Sequence, residues 1–145
     1  MLYLRPDLGQ NGSGMILGMG VDMAEVSRVR AAIERHGERF LRRIFTPAEI
    51  AYCRSYKDCH DRFAARFAAK EAAMKALGTG WRRGVTWRDF EISNLPSGKP
   101  CLQLSGKALE IYRSLGGSRL LVSLTHTGPY ALAQVIIEGE SAQQD

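Results

Sequence analysis

Cysteine is scarce in this chain. Cys53, Cys59 and Cys101 are an odd number with no Cys-x-x-Cys, which argues against a disulfide framework and fits a reducing, cytoplasmic setting. Cys53, Cys59 and His60 follow no zinc-ligand spacing. Long apolar runs are missing too. The nearest, Met15 to Val21, ends at Asp22, too short to span a membrane, and no secretory leader is read. Internal repeats and low-complexity runs are absent. So are several nucleotide and hydrolase signatures. Gly98-Lys99 is followed by proline and Gly106-Lys107 by alanine, so neither is a Walker A loop. There is no His-Glu-x-x-His and no Gly-x-Ser-x-Gly elbow. Gly18 and Gly20 open a dinucleotide-like fingerprint, but Met23 stands where its third glycine belongs.

What is present is a single-domain length of 145 residues with 45% apolar content, enough to bury a core without disulfides or a structural metal. Lys and Arg number 20 against 15 acids, a formal charge of +5, which favours acidic partners. The excess gathers at Arg28, Arg30, Arg35, Arg39, Arg42 and Arg43, among which only Glu34 and Glu38 are acidic. Phe40 and Phe45 are the aromatics near this cluster, too few for stacking on bases, so no nucleic-acid partner is expected.

The spacing predicts an α+β domain, a mainly antiparallel sheet packed against helices. Residues 1–14 read as an extension or expression remnant, 15–138 as the domain, and 139–145 as a polar tail. Met15 to Asp22 reads as a buried strand. Glu25 to His36 reads as an amphipathic helix with Val26, Val29 and Ile33 on one face. A short basic helix follows from Glu38 to Ile44. Thr46-Pro47-Ala48-Glu49 is a helix start with cap, N1 proline and acid at N3. A long helix spans Arg62 to the Gly78-Thr79-Gly80 stop, with Asp58 or Asp61 as its cap. Val85 to Ser93, Cys101 to Leu104, Leu120 to Thr125 and Tyr130 to Ile137 read as strands. Ser105 caps a further helix to Leu115.

Four side chains can carry chemistry. Asp22 closes the first strand, either as a helix cap or as a ligand on rigid structure. Phe63, Phe67, Glu71 and Lys75 recur every fourth residue along one face of the long helix. Glu71 and Lys75 are either a surface ion pair or a metal-binding carboxylate with a phosphate-binding lysine one turn on. His126, between two strands, is either a structural histidine of a turn, a phosphate ligand or a base.

Three blocks carry a resemblance. Ile16-Leu-Gly-Met-Gly-Val-Asp22 with Glu25 and Arg28 is the first. Arg66-Phe-Ala-Ala-Lys-Glu71-Ala-Ala-Met-Lys75-Ala-Leu-Gly-Thr-Gly80 is the second, and Ser123-Leu-Thr-His126-Thr-Gly-Pro-Tyr-Ala131 the third. In this order and spacing they resemble the holo-acyl-carrier-protein synthases, the short class of 4′-phosphopantetheinyl transferases. Thr46 to Glu49 and Ser97 to Pro100 fall where that family has similar pieces. The resemblance implies that fold. It also implies transfer of the phosphopantetheine arm of coenzyme A to a serine of apo acyl carrier protein, in fatty acid biosynthesis. Carriers of polyketide or peptide synthetases are the alternative substrates, and a non-catalytic basic trimer the alternative role.

The resemblance further implies that Asp22 and Glu71 hold Mg²⁺ and that Lys75 contacts the diphosphate. Arg66, His126 and Thr127 are implied to bind coenzyme A phosphates, with Gly98, Lys99 and Pro100 bordering the adenine. The serine's base is left open between His126, a carboxylate and a metal-bound water. Arg28 matches a carrier-docking position, with Arg35, Arg39 and Arg43 as further candidates. A homotrimer with active sites between protomers is implied as well.

Overall fold

The computed structural model describes residues 14–140. Strand β1 (Met15–Glu25) leads into helices α1 (Val26–His36), α2 (Glu38–Ile44), α3 (Pro47–Arg54) and α4 (Cys59–Leu77). A 3-10 turn (Trp87–Asp89) precedes β2 (Phe90–Asn94) and β3 (Pro100–Leu104). Helix α5 (Gly106–Ser114) and strands β4 (Gly117–Thr127) and β5 (Tyr130–Gly139) complete the chain. The strands form two antiparallel sheets, one of three strands in the order β1-β5-β4 and a hairpin of β2 and β3. The expected α+β class with antiparallel pairing is therefore present, divided into two sheets rather than one.

The core lies where α4 crosses the three-stranded sheet. Ala131, Ala133, Val135 and Ile137 of β5 are fully buried on its inner face, as the period of two requires. Against them α4 presents Ala65, Ala68, Ala69, Ala72, Ala73 and Ala76, all buried. Small residues on the strand match small residues on the helix. A Cβ on Gly18 would lie 2.0 Å from the Ala76 carbonyl oxygen, and one on Gly20 2.0 Å from that of Ala72. These glycines let β1 approach the helix backbone directly. Asp22, two residues beyond Gly20 on the same face, is carried against α4 by that approach.

Local signals explain most element ends. Thr46 and Glu49 form the expected capping box, with Thr46 N–H donating to Glu49 Oε1 at 2.9 Å and Glu49 N–H to Thr46 Oγ1 at 3.3 Å. Gly78 ends α4 in the left-handed conformation, φ 75°, as a C-terminal glycine should.

Other expectations are corrected. Helix α4 begins at Cys59, three residues before Arg62. Asp58 holds the N-cap position without capping it, because its carboxylate accepts from Arg62 Nε at 2.9 Å instead. Ser105 makes no side-chain cap for α5. Asp89, distant in sequence, accepts from Ala108 N–H at 3.3 Å in its place, and also from Thr86 N–H at 3.2 Å. The strand expected over Val85 to Ser93 starts only at Phe90, since the Thr86–Asp89 contact folds Trp87–Asp89 into a 3-10 turn.

Strand β1 continues past Asp22 to Glu25, so Asp22 sits inside a strand and caps no helix. His126 likewise lies in β4, paired with Ala131, rather than in the connecting loop. Strand β5 runs through Gly139, and Glu140 N–H donates to Gly116 O at 3.2 Å. The rest of the expected tail, and residues 1–13 of the expected extension, lie outside the described residues.

Candidate active site

The open stripe of α4 is the one face that the core does not cover. Phe67 and Glu71 are half-buried and Lys75 is exposed, while nearly every other residue from Phe63 to Leu77 is buried. Asp22 of β1 faces this stripe. Lys75 Nζ donates to Asp22 Oδ1 at 2.9 Å and to the Val21 carbonyl at 3.0 Å.

Glu71 lies beside Asp22, and its pKa is raised to about 7. Burial is the main cause, followed by the hydrogen bond to Asp22 and that group's charge, with Lys75 opposing. Two carboxyl groups in contact, one of them held up in pKa, form a place short of positive charge. Among the described residues no group of three or more Asp, Glu, His or Cys side chains is placed to hold a metal. A pair suits Mg²⁺, which takes one or two protein carboxylates and completes its shell with water and substrate phosphate.

This pair makes stability depend on pH. The folded pKa of Glu71 lies above its ordinary 4.5. Folding therefore takes up a proton between about 4.5 and 7, and the contribution is lost as pH rises through the folded value. In EDTA, the melting temperature of the wild type minus that of Glu71→Gln should fall from about pH 5 to about pH 8. A difference that stays flat would refute the raised pKa of Glu71.

A second feature lies toward the start of α4. A cavity of about 160 Å³ is lined by Tyr52, Arg62 and Arg66, by Asn94, Gly98 and Pro100 of the hairpin, and by Leu124, Thr125 and His126 of β4. Arg66 is 3% exposed. One of its terminal nitrogens donates to Asn94 Oδ1 at 2.7 Å, and its guanidinium lies 4.2 Å from the Tyr52 ring centre. Its Nε has no hydrogen-bond partner among the described residues. A buried cation with an unspent donor beside a cavity is suited to an anion. Arg62, one turn earlier, donates to the Tyr52 hydroxyl at 3.1 Å and stacks at 3.6 Å on Tyr56, so two arginines converge on this wall. Asn94 also donates to the Gly98 carbonyl at 3.0 Å, which ties the hairpin tip to Arg66.

The structure thus forms two groups from the expected site residues. Asp22, Glu71 and Lys75 are together, and Arg66, Gly98, Pro100 and His126 are together. Across the inner face Asp22 pairs with Ala133 and that with Leu124, while His126 is two residues further along. Strand spacing and rise put Asp22 and His126 roughly 12 Å apart. His126 therefore borders the arginine cavity rather than the carboxyl pair. Thr127 pairs with Tyr130 on the opposite face, and Lys99 is exposed at the hairpin tip; neither lines the cavity. Arg28, Arg35, Arg39 and Arg43 are exposed on α1 and α2, and Arg28 makes a loose 3.7 Å pair with Glu25.

Sequence spacing missed Tyr52, Arg62 and Asn94. Of these only Arg62 had a local signal, its position four residues before Arg66 on the same helix face. Spacing also missed a buried ion pair beside the site. Lys70 Nζ lies 2.7 Å from Glu49 Oε1, and both side chains are fully buried. The ammonium also donates to the carbonyls of Trp87, at 3.1 Å, and Phe90. Glu49 Oε2 accepts from Ile92 N–H at 3.0 Å. All three lysine protons and both carboxylate oxygens are engaged, binding α3, α4 and β2 together next to Glu71.

The family model for the 4′-phosphopantetheinyl transferase superfamily matches residues 18–135. The chain belongs to that superfamily. Within it, the chain's place is among the holo-[acyl-carrier-protein] synthases. It is 56% identical to the holo-[acyl-carrier-protein] synthase of Koribacter versatilis, over 86% of this chain and 99% of that protein. The crystal structure of the synthase from Neisseria meningitidis superposes with a TM-score of 0.78 at 32% identity, over 85% of this chain and 98% of that one. That of the Helicobacter pylori synthase in complex with coenzyme A gives 0.73 at 30% identity, over 82% and 98%.

Proposed function

We propose that this chain transfers the 4′-phosphopantetheine arm of coenzyme A to a serine of apo acyl carrier protein, in fatty acid biosynthesis, in the cytoplasm. The observation that carries this reading is the Asp22–Glu71–Lys75 group on the open stripe of α4, next to a cavity walled by Arg66 with a free Nε. The first suits a diphosphate and its counter-ion, the second a nucleotide phosphate. Among the described residues no helix is long and apolar enough to cross a membrane.

The reaction divides between the two groups. The serine oxygen forms a bond to the phosphorus that bears the arm. The phosphoanhydride bond breaks, adenosine 3′,5′-bisphosphate leaves, and the serine proton is lost. Asp22 and Glu71 would hold Mg²⁺, which when bound supplies charge stabilisation to the diphosphate. Lys75 is half-exposed, 54% by side chain, so its ammonium can move from Asp22 to a phosphate oxygen as charge builds there. Arg66, positioned by Asn94 and Tyr52, holds a phosphate of the nucleotide, and His126 borders the same cavity. Gly98 and Pro100 flank the base, with Lys99 outside them.

The basic faces of α1 and α2 meet the carrier. Acyl carrier proteins are acidic, and complementary charge at Arg28, Arg35, Arg39 and Arg43 raises the encounter rate and sets register. The incubation that tests the function combines this protein, coenzyme A, Mg²⁺ and an apo carrier. Intact-mass analysis should show a phosphopantetheine gain that EDTA abolishes. No gain with fatty-acid, polyketide and peptide-synthetase carriers would overturn the reading.

Self-association into a trimer has its own support. The outer face of the three-stranded sheet exposes Met19 at 60%, Val21 at 53%, Met23 at 59%, Tyr130 at 42% and Leu132 at 37%. A contiguous apolar sheet face of this kind marks an interface. Thr127 lies on this face, where it can serve a neighbouring protomer's site. The double substitution Met19→Lys/Leu132→Lys should shift the sedimentation mass from three chains to one. A trimer unaffected by it would place the interface elsewhere.

A further inference from the structure

On the reading of the site given above, we propose that Lys75 is also the metal's rival for Asp22, and that coenzyme A opens the metal site by drawing the lysine away. The side chain has two positions. On Asp22 and Val21 it opposes a divalent cation, and on the diphosphate it no longer does.

The first position is built into the fold. Lys75 Nζ donates to Asp22 Oδ1 at 2.9 Å and to the Val21 carbonyl at 3.0 Å, so one strand supplies both acceptors. Gly20 makes room for the lysine stem. A Cβ there would lie 2.9 Å from the Lys75 Cβ, closer than packed carbon atoms come. The bare backbone of β1 therefore lets the stem run past it to Asp22. The Asp22 side chain is only 13% exposed, so water does little to neutralise its charge. Among the described residues its ion pair is with Lys75.

A cation arriving at Asp22 thus meets an ammonium already there. Two positive charges at one carboxylate repel, and strongly where water is largely shut out. Mg²⁺ gives up its own water reluctantly, and here it must displace the lysine as well.

Lys75 is equally built to leave. Its side chain is 54% exposed, whereas Lys70 is fully buried with all its donors engaged. An ammonium has three donors, and two of those on Lys75 are engaged among the described residues. The third can take a phosphate oxygen before either existing bond breaks. A diphosphate carries more charge than a single carboxylate, so the ammonium follows it and Asp22 is released. Metal and coenzyme A then strengthen each other's binding, and the coupling is reciprocal.

Metal binding without coenzyme A is the direct test. Mn²⁺ is titrated into the wild type, Lys75→Met, Lys75→Gln and Lys75→Arg, with the free ion read by electron paramagnetic resonance. Thermal unfolding checks that each variant folds. The two neutral variants should bind Mn²⁺ about tenfold more tightly than the wild type. Lys75→Arg, which keeps the charge, should bind it no more tightly. Asp22→Asn added to Lys75→Met should remove the gain. Coenzyme A should tighten Mn²⁺ more in the wild type than in Lys75→Met. A lysine that only holds phosphate would leave the metal affinity unchanged, so equal or weaker binding by the neutral variants overturns the rivalry. A gain that survives Asp22→Asn overturns it too, because the ion is then bound elsewhere. If Mn²⁺ binds none of these proteins, with coenzyme A or without it, the reading of the whole site fails, and the rivalry with it.

Discussion

Asp22→Asn and Glu71→Gln should each lower the rate of carrier modification on the order of 100- to 1,000-fold, while the protein stays folded and binds adenosine 3′,5′-bisphosphate. The physical reason is that the two carboxyl groups act as one charged unit. Burial, and after it the contact with Asp22, raises Glu71 to a pKa of about 7, a cost that the fold tolerates without gaining core packing from it. An amide at either position keeps a hydrogen bond to the other and removes the like-charge repulsion. Stability at neutral pH should therefore hold or rise in both variants as turnover falls. Opposite movement of activity and stability marks a functional pair, because a structural pair would lose both. The checks are intact-mass initial rates and thermal unfolding on the same preparations. Near-wild-type rates in both variants would remove this site from the reaction.

Lys70→Met should destabilise the protein by about 3–5 kcal/mol, the usual cost of leaving one member of a buried ion pair unpaired. Glu49 would remain as a carboxylate without a counter-charge. The Trp87 and Phe90 carbonyls would lose a shared donor as well. The double variant Glu49→Gln/Lys70→Met should recover part of that loss, since glutamine leaves no charge behind and can still accept from Thr46 or Ile92. A double-mutant cycle in urea, at fixed protein concentration, measures the coupling. A cost below about 1 kcal/mol for Lys70→Met would show that the pair is solvated rather than buried. Lys70 and Glu71 are neighbours in sequence with opposite duties. The lysine points into the core and sets how α4 sits on β2, and the glutamate consequently points at Asp22.

Spacing alone reached the elements with local causes. The Thr46-Pro47-Glu49 start and the Gly78 stop act through their own few residues. The blocks around Asp22, Glu71 to Lys75 and His126 were readable as motifs, and the four-residue period put Glu71 and Lys75 on one face, but the strand positions of Asp22 and His126 were not. What the period cannot count is contact between distant segments. Asp89 replaces Ser105 as the α5 cap from sixteen residues away. Asn94 positions Arg66 across 28 residues, and Ile92 reaches Glu49 across 43. Each looks like an ordinary polar side chain or backbone group in its own neighbourhood. The sequence by itself determined the helices, most of the strands and the residues proposed to bind metal and phosphate. Only the tertiary structure decided which of them meet. Close packing of Gly18 and Gly20 on Ala76 and Ala72 brings Asp22 to Glu71, and the twofold strand alternation sends His126 to the arginine cavity and Thr127 to the opposite face.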